Sequence, residues 1–242
     1  IGRDSAYINQ GNNAVALGLQ SGYVNQGDNS IAIGKYAGRT YQGTESIAMG
    51  TNAGNITQGT YAVAIGNEAG HNNQGDNSVS IGYGSGQSYQ AIQSVAMGYF
   101  SGNSTQGQYA IAIGSQAGYA NQGNNCIAFG NLAAQTNQGA QAIAIGMFAG
   151  RGTQGVEAIA IGGYNTGSFQ QSQYAIAIGS EAGSTNQGNS SIAIGQNAGS
   201  NTQGTYAIAL GNEAGRISQG DSAIAIGKYA GQTNQPANSI VL

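Results

Sequence analysis

Small and large apolar residues alternate in short bursts along this chain, and each burst ends on glycine. Ile31-Ala32-Ile33-Gly34 returns as Ile47-Ala48-Met49-Gly50, as Val63-Ala64-Ile65-Gly66, and so on to Ile224-Ala225-Ile226-Gly227. The glycine falls at 2, 18, 34 and every sixteenth position to 162, then at 179, 195, 211 and 227. A strict period in a unit too short to fold alone predicts the stacked coils of a solenoid. Ser30 to Ile33 has the period-two alternation of a strand. Gly34 and Gly38 bracket a tight corner that calls for positive φ. Residues 39 to 42 read as a second, more polar strand, and Gln42-Gly43 as the second corner. The predicted fold is all-β: a parallel β-roll or β-solenoid of about fifteen 16-residue coils over residues 1–242, with two short strands per coil.

The alternation defines two faces. We expect the large aliphatics to fill a thin core and the small face (Ser30, Ala32 and their equivalents) to pack against a partner chain. Small residues that simply suit a narrow roll interior are the alternative. In-register stacking sets like over like, so Gln26, Gln42, Gln58, Gln74, Gln106, Gln122, Gln138 and Gln154 form a column from Gln10 to Gln235. Stacked amides can each donate to the next coil, which predicts a structural ladder.

Departures from the beat are informative. Gly162 and Gly167 are one residue further apart than their counterparts, so an insertion within 163–166 should bulge outward. Ala91, Ser172 and Pro236 replace the second-corner glycine, and Pro236, lacking an N–H, should end the regular stack. Thr57, Thr105 and Thr153 recur 48 residues apart, which points to duplication of a three-coil unit. The chain opens on Ile1-Gly2, mid-repeat and without an initiating methionine, as a segment of a longer fibre would.

Composition narrows the function classes. Only 15 residues are charged (6 basic, 9 acidic), for a net charge of −3, so there is no basic footprint for nucleic acid. No polybasic patch or long apolar run suits membrane insertion. Glycine- and amide-rich chains are often disordered, but disorder would not fix apolar residues at set positions. Cys126, the single cysteine, stands in a Ser/Ala column and reads as a buried small residue. His71 is alone in a variable corner column, and Glu68, Glu181 and Glu213 share a column with Tyr36 and Phe148. Asp28, Asp76 and Asp221 are too sparse for a calcium-binding roll. These residues suggest no catalytic, metal or cofactor site. The candidate contact surface is an apolar stripe at the first corner, Tyr83, Tyr99, Phe100, Leu132, Met147, Phe148 and Tyr164.

The phrase Asn29-Ser30-Ile31-Ala32-Ile33-Gly34, followed by Ala37, resembles the head repeat of trimeric autotransporter adhesins, and similar repeats occur in fibres of bacteriophages and large DNA viruses. The resemblance implies a left-handed parallel β-roll in a side-by-side homotrimer. It also implies attachment at a cell or virion surface, with a host glycan or matrix protein as partner. The adhesin repeat is typically fourteen residues rather than sixteen, no neck, stalk or barrel motif is present, and no individual ligand residue carries over. The expected function is therefore a non-enzymatic fibre or adhesin head segment, extracellular in location. A self-assembling extracellular filament and an ice-binding solenoid are the alternatives.

Overall fold

A computed structural model describes residues 1–242 and contains strands and turns but no helix. The chain divides into two compact units, Ile1–Asn124 and Asn125–Leu242. Each is a parallel β-solenoid built from the predicted coil. In the N-terminal unit, Ile31–Ile33 pairs on one side with Val15–Leu17 and on the other with Ile47–Met49. Like residues face each other: Ile31 with Ile47, Ala32 with Ala48, Ile33 with Met49. In the C-terminal unit, Ile192–Ile194 is paired the same way with Ile176–Ile178 and Ile208–Leu210. The second strand of the coil, Thr40–Gln42, pairs only through its ends, Thr40 with Ile56 and Gln42 with Gln58.

The sidedness of the first strand reverses the expectation. Ala32, Ala37 and Ser46 are fully buried and Gln42 nearly so, whereas Ile31 and Ile33 are only half-buried. The small residues line the lumen and the large aliphatics point out of the roll. Space gives the reason. The Gln42 side chain crosses the interior to donate from Nε2 to the Ile31 carbonyl at 2.8 Å, and alanine opposite leaves room for it. Two isoleucines and a glutamine could not share so narrow a section at normal packing density. The interior is therefore small-residue and amide, and the hydrophobic surface is on the outside.

The corners are built from left-handed backbone. Gly34 (φ 128°) and Gly38 (φ 52°) take the positive φ foreseen for them. A Cβ on Gly34 would sit 2.6 Å from the Gly50 carbonyl oxygen, so close coil stacking excludes a side chain there as well. Three further columns, those of Asn29, Tyr36 and Tyr41, adopt φ of 55°, 61° and 56° without being glycine. For such residues this costs roughly 1–2 kcal/mol each. The return is a reversed peptide: Tyr36 N–H donates to Leu19 of the preceding coil, while Gly38 N–H donates to Ala53 of the following one. An interior coil is thus bonded in both directions.

The coil with the insertion and the coil with the proline lie in the C-terminal unit. Gly163 is exposed and nothing lies within 4 Å of where its Cβ would be. Thr166 folds inward, and its Oγ1 donates to the Gly179 carbonyl at 2.6 Å. Pro236 does not terminate the stack: Gln235 still bonds to the Ile224 carbonyl, and Ile240–Val241 pairs with Ile224 and Ala225. A missing N–H at Pro236 removes only a bond toward a following coil.

Candidate functional site

The glutamine column is a set of cross-braces before it is a ladder. Gln26, Gln42, Gln58, Gln74 and Gln106 each donate from Nε2 to the carbonyl eleven residues earlier, across the lumen, at 2.8 Å. Gln122, Gln138 and Gln154 do the same at 2.8–2.9 Å. Direct amide-to-amide bonds occur at some steps, such as Gln58 to Gln74 and Gln138 to Gln154, both at 3.2 Å. The Oε1 atoms of Gln42, Gln58 and Gln106 are buried with no hydrogen-bond donor. Gln90 is different: Ser80, standing where other coils have alanine, donates from Oγ to Gln90 Oε1 at 2.6 Å.

The outward aliphatics form a continuous face on each unit. In the N-terminal unit it runs from Val15 and Leu17 through Ile47, Met49, Val63 and Ile65 to Ile111 and Ile113. In the C-terminal unit it includes Ile127, Phe129, Ile143, Ile145, Ile176 and Ile178. Phe129 is 51% exposed and Leu17 44%. Neighbouring coils cover the flanks of these side chains, but nothing in the chain covers their tips.

The first-corner residues fall into two groups. In the N-terminal unit Tyr83 and Tyr99 are exposed and stacked, with centroids 5.6 Å apart and planes at 18°. Phe100 meets both edge-on, at 5.1 and 4.6 Å, and reaches Tyr119 at 6.4 Å. Around them runs a polar row: Asn103 Nδ2 donates to Gln87 Oε1 at 3.0 Å, and Gln87 Nε2 donates to Glu68 Oε2 at 2.5 Å. In the C-terminal unit Phe148 packs edge-on against Tyr164 at 5.5 Å, and Arg151 lies over the Phe148 ring at 5.2 Å. Leu132 is half-buried and Met147 exposed in that unit. Tyr119, Gln87 and Asn103 were not singled out from sequence. All three occupy the column after Gly38, whose composition varies too widely to mark a site.

No pocket opens on the surface, and no three His, Cys, Asp or Glu side chains converge as metal ligands would. His71 is half-buried at its corner, with its backbone carbonyl accepting from Ile56 N–H at 2.9 Å. Cys126 is fully buried, its Sγ 2.8 Å from the Gly139 carbonyl oxygen.

A pocketless parallel β-solenoid with an apolar sheet face and an ornamented corner defines a structural repeat protein. The family described as "YadA head domain repeat (2 copies)" matches residues 26–37, 42–69, 171–198 and 187–214, in both units. Those stretches of the chain are similar to the head repeat of trimeric autotransporter adhesins, a repeat of adhesin-type structural segments. No curated protein matches it.

Proposed function

We propose that this chain is a head segment of a trimeric surface adhesin, in which three copies meet along their aliphatic sheet faces and present their corners outward. The observation that carries the reading is the face itself. The seven first strands of the N-terminal unit each contribute two outward apolar side chains, from Val15 and Leu17 to Ile111 and Ile113. Removing the exposed remainder of each from water is worth on the order of 0.5–1 kcal/mol. For that unit the gain is roughly 10 kcal/mol, comparable to the estimated 4–15 kcal/mol entropic cost of association. A face of this size left open would be an aggregation hazard. The similarity to the adhesin head repeat supports three copies and a cell-surface, extracellular setting.

Sedimentation equilibrium of the 24.2 kDa chain at several concentrations tests the assembly. The expected result is one species of three chains, and a stable monomer would overturn it. Attachment is tested separately by binding the chain to arrays of glycans and matrix proteins, where retention on at least one surface is expected and none would remove the adhesive role.

A further inference from the structure

We propose that the Tyr83–Tyr99 corner is a binding platform for an uncharged pyranose sugar, an assignment that rests on the adhesive reading and names the chemistry it would use. The two tyrosines are 46% and 52% exposed and stacked on each other. A two-ring stack keeps its outer faces at its ends. One coil before Tyr83 the same position holds Asn67, and one coil after Tyr99 it holds Ser115, both shorter than tyrosine. The ring face of Tyr83 therefore overhangs Asn67 as a ledge one coil deep, about 4.8 Å. That depth suits one flat ring at van der Waals distance, about 3.5–4.0 Å.

The platform is braced. Phe100 holds both tyrosines edge-on, the favoured aromatic geometry. Its own ring lies over Gly84, where a Cβ would collide with it. The polar row from Asn103 through Gln87 ends at the Glu68 carboxylate, beside Asn67 and half-buried. An apolar ring face next to amides and a carboxylate suits a pyranose, which offers axial C–H bonds on its face and hydroxyls at its rim.

Charge selects among sugars. No lysine or arginine occurs between Arg39 and Arg151, while Glu68 stands at the ledge, so a sulfated or sialylated ligand would meet repulsion without a counter-cation. The other aromatic pairs differ here. Arg39 lies over Tyr23 of the Tyr7–Tyr23 stack, and Arg151 covers Phe148 beside Tyr164. Tyr83–Tyr99 is the pair without a cation from its own chain.

The test is titration of the whole chain with methyl β-glycosides of glucose, galactose and N-acetylglucosamine, and with cellobiose and lactose. Saturation-transfer NMR reports binding, and tyrosine fluorescence, free of tryptophan background, is read as the difference between the parent and Tyr83→Ala. At least one neutral sugar should bind, with transfer strongest to its ring C–H protons. Tyr83→Ala should weaken it at least tenfold, and Asn67→Tyr, which fills the ledge by extending the stack, should abolish it. Tyr206→Ala, an exposed tyrosine in the C-terminal unit with no ring partner, should leave it unchanged. Circular dichroism confirms that each variant is folded. No binding by any of these sugars, unchanged binding by both Tyr83→Ala and Asn67→Tyr, or tighter binding of heparin than of neutral sugars would overturn the assignment. If the chain still adheres to a surface without binding sugar, the platform falls and the adhesin reading stands. A sugar bound at Tyr83 by a chain that sediments as a monomer supports the platform and overturns the trimer.

Discussion

Each lumen glutamine commits its Nε2 to a carbonyl of the opposite strand, and that geometry leaves Oε1 facing alanine. Gln42 faces Ala32, ten residues earlier, and its Oε1 has no donor. Ser80 and Gln90 repeat the relation with a hydroxyl in place of a methyl, and the acceptor is satisfied at 2.6 Å. A buried acceptor without a donor costs about 1–3 kcal/mol. Ser80→Ala should therefore lower stability by about 1–2 kcal/mol, and Ala32→Ser should raise it by about 0.5–1.5 kcal/mol. Denaturant unfolding of the two variants beside the parent checks both signs. Equal destabilisation by both would mean that the lumen lacks room for the hydroxyl and that Ser80 is tolerated rather than used.

At the scale of the coil, the glycine corners are where sequence is most explicit. Gly98 has φ 130°, and a Cβ there would sit 2.7 Å from the Gly114 carbonyl oxygen, so Gly98→Ala meets two penalties at once. About 3 kcal/mol or more is expected. Gly163→Ala, at an exposed position with open space around it, should be neutral or stabilising by about 0.4–1 kcal/mol through the unfolded chain. Because solenoid coils interact with their neighbours, hydrogen exchange in Gly98→Ala should rise most near Gly82 and Gly114 and little at Ile8–Gln10. Uniform loss of protection would instead mark the unit as one cooperative block. The strand register and corners were legible because glycine at a fixed spacing is a backbone requirement. The left-handed turns at Tyr36 and Tyr41 were not, since their columns accept tyrosine, asparagine, threonine and glutamate alike. Nor was the sidedness of the first strand, because alternation separates two faces without saying which is inside. Gln42 held the answer: a long amide at one fixed place in every coil needs a small residue opposite. At the candidate site the sequence singled out the exposed rings Tyr83 and Tyr99 and the half-buried ring of Phe100. The polar row beside them emerges only when Gln87 and Asn103, sixteen residues apart, are stacked by the coil.

At the scale of the whole molecule, that inversion moves the argument for assembly from the small face to the large one. Ala64 is fully buried in the lumen, while Ile65, its neighbour in the same strand, is 37% exposed. The two positions therefore separate folding from association. Ala64→Asp buries a charge among alanines and glutamines with no cation to pair it, and several kcal/mol of destabilisation should follow. Lysine at Ile65 can extend its head into water while its stem still covers the coils beside it, so the monomer should fold. In a trimer built on the aliphatic faces, the same lysine is forced into an apolar seam. The double variant Ile65→Lys/Ile113→Lys should sediment as a single 24.2 kDa chain with an unchanged β-sheet circular dichroism spectrum. If it remains trimeric, association uses another surface and the aliphatic face must be covered differently. If it unfolds, the isolated roll depends on its partners for stability, and mass and spectrum should then be lost together on dilution of the parent chain as well.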